Sequence, residues 1–296
     1  MTSFTRRTVT TFLTPFLAFG LLASCSGGQQ SPADKSAEAE VTLTALQMAI
    51  ANPARGDNAK RDGARRPEQT LNFFQLDPSM TVLEISPGAG YYADILSAYL
   101  AAGEVNAEST PEASGTYMAT AYPETSDRRI AANAKFKAKY PNAIVSVMGG
   151  EARLPEGVAD RVLTFRNVHN WMGAGTAEDV FAQFYAALKP GGMLGVVEHR
   201  LPATQEQDPR APSGYVQEAY VKTLASEAGF EFVASSEINA NPKDTADHPY
   251  GVWTLPPRLR APKEGEETPI GFGDYDKAAY EAIGESDRMT LLFKKP

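Results

Sequence analysis

The fold is decided by the stretch Val82-Leu83-Glu84-Ile85-Ser86-Pro87-Gly88-Ala89-Gly90-Tyr91-Tyr92. An apolar run reaches an acidic residue, a turn rich in proline and glycine follows, and apolar residues then recur at helical spacing. Because Gly88 and Gly90 carry no side chain, a ligand can approach the backbone there, and the N-terminus of the next helix favours anionic groups. The stretch predicts a strand, a ligand-binding turn and a helix.

Two classes of ligand use such a turn, and the local residues do not separate them. Gly88 to Ala93 satisfies the Gly-x-Gly-x-x-Gly/Ala pattern of dinucleotide-binding folds. The stretch also resembles motif I of the class I S-adenosylmethionine (SAM)-dependent methyltransferases, in which an acidic residue, here Glu84, ends strand 1. Ser86 stands where that family usually has its first glycine. A purely structural turn is the third interpretation.

Length and composition favour one large α/β core. The chain has 296 residues, of which 43% are apolar, enough for a single domain of this class. The formal net charge is −8, and the sequence shows no basic stripe that would neutralise phosphates. We therefore expect no nucleic-acid partner.

The N-terminus is interpreted as an export signal. Arg6 and Arg7 precede an apolar run from Phe12 to Leu22, which is too short for a permanent membrane span. Leu22-Ala23-Ser24-Cys25 resembles a bacterial lipobox, and Cys25 is the only cysteine. We predict a signal peptide at 1–24 and a lipidated flexible tether at 25–41. A lipid anchor at Cys25 would be the only membrane attachment, and it places the protein in the cell envelope, with the outer membrane favoured.

The rest of the chain, 42–296, is predicted to be one domain. Short helices are expected in 42–78 and a basic segment in 54–66, interpreted as a solvated face or, less favoured, as a lid over the turn. Residues 239–273 are rich in proline and are predicted to form an ordered cover. The remaining predicted elements are strands near 115–122, 143–148, 193–198 and 287–294, a further strand after Phe230, and helices near 126–140, 213–229 and 275–283. Another strand is expected to start at Ala159 and to run into a polar, aromatic loop that ends at Trp171 and would form a roof over the turn.

Three further motifs occur in an order that is similar to the class I methyltransferases. They are Glu151-Ala152-Arg153-Leu154-Pro155 after strand 3, Asp160 before strand 4, and Leu188-Lys189-Pro190-Gly191-Gly192 before strand 5. In detail the chain resembles a little-characterised group of predicted methyltransferases, through Glu84 to Tyr92, Arg166 to Trp171, Val252 to Pro257 and Glu285 to Met289. The resemblance implies an α/β fold, a Rossmann-like doubly wound seven-stranded sheet with an antiparallel last strand.

The same resemblance implies SAM as cofactor and a set of binding residues. Glu84, Ser86, Gly88 and Gly90 would hold its amino-acid part, and Glu151-Ala152 its adenine. Tyr91, Arg166 and Asn167 complete the predicted cofactor-binding set, and Tyr91, Tyr92 and Trp171 are candidates for contact with the sulfonium. Strand 2 ends at Ala121-Tyr122-Pro123 without the acid that usually binds ribose.

The predicted catalytic residues are His169 and its neighbour Asn170. An alcohol or amine acceptor needs a base, and His169 is the best placed imidazole. His199 and Glu198 could face the same crevice, since strands 4 and 5 are neighbours in this topology. Without local metal-ligand spacing, no metal site is predicted.

The predicted function is SAM-dependent methyl transfer to a small-molecule or envelope acceptor. The alternative is a non-catalytic envelope lipoprotein that keeps the fold to bind another ligand or partner, because SAM is made in the cytoplasm whereas the lipobox predicts export. A dehydrogenase is opposed by the Leu188 to Gly192 turn. The sequence predicts neither the acceptor nor the oligomeric state.

Overall fold

The structure is a computed structural model that describes residues 43–102, 114–267, 269 and 273–296. The predicted signal peptide, Cys25 and the tether lie outside the described residues, as does most of the turn-rich stretch after 102. No helix in these described ranges is both long and apolar enough to cross a bilayer.

Short helices precede the first strand, as predicted. The first, α1, starts after Thr44, whose side chain and Gln47 form a reciprocal capping box. Pro67 occupies the first position of α3, where its missing N–H costs nothing. The helical elements of this part are α1 Ala45–Ile50, a 3-10 helix Pro53–Arg61, α2 Asp62–Arg65 and α3 Pro67–Phe73.

Strands and helices then alternate, which is typical of a doubly wound sheet. The strands are β1 Thr81–Ile85, β2 Thr116–Ala121, β3 Ile144–Val147, β4 Ala159–Phe165, β5 Leu188–Leu201, β6 Val216–Gln217, β7 Glu231–Ser236 and β8 Arg288–Lys294. The helices are α4 Tyr91–Ala101, α5 Asp127–Lys139, α6 Val168–Ala174, α7 Ala177–Ala187, α8 Glu218–Glu227 and α9 Lys277–Ile283, with a second 3-10 helix at Gly251–Thr254.

The main sheet has the order β3-β2-β1-β4-β5-β8-β7. Strands β1 to β5 pair in parallel, and β8 is antiparallel to both β5 and β7. The predicted seven-stranded sheet with an antiparallel last strand is therefore confirmed. The sequence did not predict the two-residue strand β6, which pairs with the end of β5.

Both faces of the sheet are covered by apolar side chains. Leu83 and Ile85 belong to a cluster with α7, α8 and β8 on one face. Val82 belongs to a second cluster with α1, α3 and α4 on the other. The alternation within β1 follows from the two-residue period of a strand, and it places Glu84 on the face that α4 covers.

The structure corrects the prediction for the segment after β4. Arg166 to Trp171 was expected to be a loop, but Val168 begins the helix α6. No side chain caps this helix. Instead, the buried Glu198 carboxylate on β5 accepts a hydrogen bond from the Val168 amide (2.5 Å), so a residue distant in sequence satisfies a free N–H of its first turn.

The predicted cover segment is ordered in its described part. Asp244 accepts hydrogen bonds from the Tyr215 hydroxyl (2.9 Å) and the Asp287 amide (2.7 Å). His248 Nε2 lies 2.8 Å from the same carboxylate, and Leu255 is fully buried. These contacts tie the segment to the residues directly before β6 and β8.

Candidate functional site

The turn between β1 and α4 has the backbone conformation that its glycines permit. Gly88 and Gly90 have φ of +59° and +85°, and Ser86 has φ of +49°. A non-glycine residue in this region carries backbone strain and marks functional sites more often than chance. The position that the methyltransferase family fills with glycine therefore keeps a glycine-like conformation here, with the Ser86 amide donating to Thr120 Oγ1 (2.7 Å).

One side of the turn is closed by a polar cluster around Asp94 of α4. The Tyr140 hydroxyl donates to Asp94 Oδ1 (2.6 Å), and Asn58 donates to Asp94 Oδ2 (2.7 Å). A β-carbon at Gly90 would lie 2.4 Å from the Tyr140 hydroxyl oxygen. Gly90 is therefore required both by its positive φ and by the close approach of Tyr140.

Glu84 lies at the end of β1 as predicted, and its side chain is engaged by a neighbouring strand. It is 2% exposed, and the Tyr117 hydroxyl donates to its Oε2 (2.6 Å). Burial raises the pKa of Glu84 to about 8, against the opposing effect of the Tyr117 hydrogen bond. At neutral pH the protonated form therefore predominates.

The space beside the turn is small. A cavity of about 40 Å³ is lined by Gly88, Thr120, Ala121 and Tyr122, among others, whereas pockets for small ligands usually measure about 300–1,000 Å³. Neither Glu84 nor Glu151 lines this cavity. Glu151 and Ala152 follow β3, where Glu151 is exposed and Ala152 is partly buried, whereas Glu84 is buried at the end of β1.

The aromatic candidates for sulfonium contact are all buried. Tyr92 stacks on Phe165 with ring centroids 3.7 Å apart, and Trp171 packs edge-on against Phe184 in the core. The Tyr91 hydroxyl donates to Asp62 (2.6 Å). Trp171 is therefore a core residue and does not form the expected roof over the turn.

Two arginines of the basic segment 54–66 are buried next to the start of α4, which contradicts the interpretation of these two as part of a solvated face, whereas Lys60 and Arg66 are exposed. Arg55 is 3% exposed and makes a bidentate pair with Asp62 (2.6 and 2.7 Å). Arg65 is 1% exposed, and its guanidinium lies 4.4 Å from the centroid of the Tyr91 ring. Desolvation of these two cations is offset by the carboxylate and the aromatic face.

His169 and Glu198 form a hydrogen-bonded dyad at the ends of β4 and β5. His169 Nδ1 lies 3.1 Å from Glu198 Oε1, and Glu198 also accepts from the His199 amide (2.8 Å). Because a carboxylate only accepts, Nδ1 carries the proton and Nε2 is left as a base. The predicted base therefore has a partner that orients it.

His199 lies beside this dyad, as the sequence suggested. The two imidazole centroids are 5.5 Å apart, and His199 Nδ1 lies 2.5 Å from Ser286 Oγ. The donor atoms of His169, Glu198 and His199 lie within 4.8 Å of one another, close enough to bind a metal. Burial lowers the pKa of His199, and the positive charges of Arg166, Arg288 and Arg65 lower it further.

The other predicted residues after β4 have distinct environments. Asn167 donates to the Ile85 carbonyl (3.1 Å) and to Thr164 Oγ1 (3.2 Å), which joins the ends of β1 and β4. Asn170 is exposed on α6. Arg166 has φ of +62° and its amide donates to the Val197 carbonyl (2.7 Å).

Sequence reasoning missed the partners of Glu84 and Glu285. Tyr117 was assigned only to strand 2, although its side chain points to Glu84. Glu285 was noted only as part of a motif, and it pairs with Arg61 and Arg65. The arginine partners of Glu285 lie more than 200 residues away in sequence. Only the charged residues of the 285–288 motif could have indicated from the sequence that Glu285 forms an ion pair.

No protein-family model matches the chain, and no curated protein matches it. Among solved structures, a SAM-dependent methyltransferase from Aquifex aeolicus is 19% identical, with 64% of this chain and 93% of that chain covered and a TM-score of 0.45. A SAM-dependent methyltransferase from Mesorhizobium loti is 11% identical, with 79% and 99% covered and a TM-score of 0.45. The trans-methyltransferase CalH in complex with S-adenosylhomocysteine is 15% identical, with 86% and 62% covered and a TM-score of 0.45.

At these sequence identities and TM-scores, similarity to a solved structure is no evidence of a shared activity. The fold assignment rests on the chain's own sheet: the strand order, the glycine turn after β1 and the antiparallel β8 between β5 and β7. These features define the fold of the class I SAM-dependent methyltransferases.

Proposed function

We propose that this protein is a SAM-dependent methyltransferase acting on a small-molecule or envelope-borne acceptor. One observation carries the proposal: the His169–Glu198 dyad lies at the same edge of the sheet as the glycine turn that follows β1. In open α/β sheets, ligands bind beyond the carboxyl ends of the strands. The turn and the dyad thus supply a cofactor cradle and a base in one region.

Each element of this region has a defined chemical task. SAM, when bound, supplies an electrophilic methyl group. Gly88 and Gly90 leave the backbone accessible, and the first turn of α4 presents free N–H groups to an anionic group. His169 Nε2 would remove the proton from an acceptor oxygen or nitrogen, while Glu198 orients the ring and stabilises its charged form. Positioning of the acceptor supplies most of the remaining rate.

Calorimetry with the full-length protein tests the proposal. We expect heat with SAM and S-adenosylhomocysteine and none with NAD. Gly88→Ala should weaken SAM binding, since the new methyl group enters the space beside the turn. Gly191→Ala is the matched control, because Gly191 also has positive φ (+76°) and a β-carbon there would meet nothing within 4 Å. Equal SAM affinity in both variants would contradict the assignment of the turn.

A second candidate function is a non-catalytic binding module. It is supported by the cavity of about 40 Å³ beside the turn and by the Glu84 carboxyl already occupied by Tyr117. This function predicts no heat with SAM, S-adenosylhomocysteine or NAD in the same titrations. Saturable SAM binding would exclude a module that binds none of these three ligands.

We propose that the protein is exported and held in the cell envelope by a lipid on Cys25. The support is the lipobox-like sequence before Cys25 and the apolar run that precedes it. Metabolic labelling with radioactive palmitate should mark the wild-type protein and not the Cys25→Ser variant. Equal labelling or equal electrophoretic mobility of the two would remove the anchor.

A further inference from the structure

Three arginines converge on one buried carboxylate beside the dyad. Glu285 lies 2.7 Å from Arg61 Nε, 3.1 Å from Arg65 Nε and 3.2 Å from Arg288 Nη1. Burial would raise the pKa of Glu285, but the charges of Arg65, Arg288 and Arg61 outweigh it and hold that pKa at about 2. At neutral pH this group of four side chains therefore carries two uncompensated positive charges.

Arg166 adds a third uncompensated charge from the end of β4. Its guanidinium makes no hydrogen bond or ion pair with any residue that the structure describes, and its side chain is only partly buried. Burial lowers the pKa of Arg166 to about 9, and the charge of Arg65 acts in the same direction. The charge of Glu285 acts in the opposite direction, and Arg166 is still cationic at neutral pH.

Two buried donors in this cluster also lack a partner. Arg61 Nη2 and Arg65 Nη2 are shielded from solvent and make no hydrogen bond within the described ranges. A buried N–H group without an acceptor is costly, and native proteins rarely keep one without a functional reason. Guanidinium groups bind carboxylate and phosphate oxygens through parallel hydrogen bonds.

The cluster adjoins the proposed base. Arg288 is the cross-strand partner of His199 in the β5–β8 pair, and His199 neighbours His169. Burial raises the pKa of Tyr92, and the positive charges of Arg65, Arg288 and Arg166 oppose this rise. An anion held here would lie between α4, the end of β4 and the start of β8, next to the base that acts on the acceptor.

We propose that Arg61, Arg65 and Arg166 bind an oxyanion, a carboxylate or phosphate group, carried by the methyl acceptor, through the unpartnered nitrogens of Arg61 and Arg65. This inference rests on the proposed function, because it assigns the charge of the acceptor for that site. It narrows the acceptor to a small anionic molecule.

Calorimetric titration of the full-length protein with sulfate, at constant ionic strength, tests the inference. Arg166→Gln should weaken sulfate binding about tenfold or more, and Arg166→Lys should weaken it less because the charge is kept while the planar fork is lost. Arg153→Gln is the matched control, since Arg153 is exposed and pairs with Asp179 outside the cluster. Sulfate affinity unchanged in Arg166→Gln would overturn the inference. Circular dichroism of each variant confirms that it is folded.

A titration with SAM in the presence and absence of saturating sulfate separates the possible sources of the oxyanion. Unchanged SAM affinity supports an acceptor site, because both ligands then bind together. Mutual exclusion would overturn the assignment to the acceptor, since the carboxylate of SAM itself would then occupy the arginines. Sulfate binding without any SAM binding would refute methyl transfer while leaving the anion site in place, so the two failures are distinguishable.

Discussion

Replacement of Glu285 by glutamine tests the charge balance of the arginine cluster. The pKa of Glu285 is about 2, compared with 4.5 for an unperturbed glutamate. This difference corresponds to roughly 3 kcal/mol of folding free energy at neutral pH. The side chain is only 9% exposed, so solvent screening reduces this value little, and removal of one partner from a buried ion pair costs a similar amount, about 3–5 kcal/mol. We expect Glu285→Gln to lose about 3 kcal/mol of unfolding free energy.

The pH dependence has a definite sign. Because the folded protein holds the pKa of Glu285 below that of the unfolded chain, the contribution is complete above about pH 4.5 and disappears as the pH falls towards about 2. The stability difference between the wild type and Glu285→Gln should therefore shrink in acid.

Urea unfolding at about pH 7 and about pH 3 provides the assay. Glu237→Gln is the matched control, because Glu237 forms a bidentate pair with Arg200 (2.7 and 2.7 Å) but its side chain is 68% exposed. Exposed pairs contribute about 1 kcal/mol or less. Equal losses in the two variants at neutral pH would refute the reasoning that burial makes Glu285 the dominant counter-ion.

Two further outcomes are expected. Gly90→Ala should lose about 2–3 kcal/mol in urea unfolding, since φ is +85° and the new β-carbon would lie 2.4 Å from the Tyr140 hydroxyl; the same loss in Gly191→Ala would show that the clash is irrelevant. Wild-type stability should decline from about pH 5 to about pH 8, because the raised pKa of Glu84, about 8, keeps a proton that the unfolded chain releases. Glu84→Gln should lack the part of the decline that Glu84 causes. If the unfolding free energies of the wild type and Glu84→Gln fall in parallel with pH, this assignment is disproved.

Most of the secondary structure follows from local patterns. The apolar run ending at Ile85 and the helical spacing after Gly90 predicted β1 and α4. The helix expected near 126–140 is α5, Asp127–Lys139. The order of motifs resembled one fold family, and the antiparallel β8 confirmed it. These features can be predicted from the sequence because hydrophobic periodicity and the conformational preferences of turn residues depend on residues that are close in sequence.

Two errors arose where distant residues decide local structure. Nothing next to Val168 predicts a helix start, because the acceptor for its amide is Glu198 on another strand. Arg65 looks like a solvated charge in sequence, but Glu285 and the Tyr91 ring bury it. In both cases the stabilising partner is supplied only when the chain has folded.

The sequence by itself determined the α/β class, the glycine turn at Gly88 and Gly90 between β1 and α4, and the candidate base His169. Tertiary structure alone decided that Glu198 orients this base, that Tyr117 occupies the carboxyl of Glu84, and that three arginines surround the Glu285 carboxylate. The physical reason is that turn geometry depends on neighbouring residues, whereas charge balance and desolvation depend on side chains brought together from remote parts of the chain.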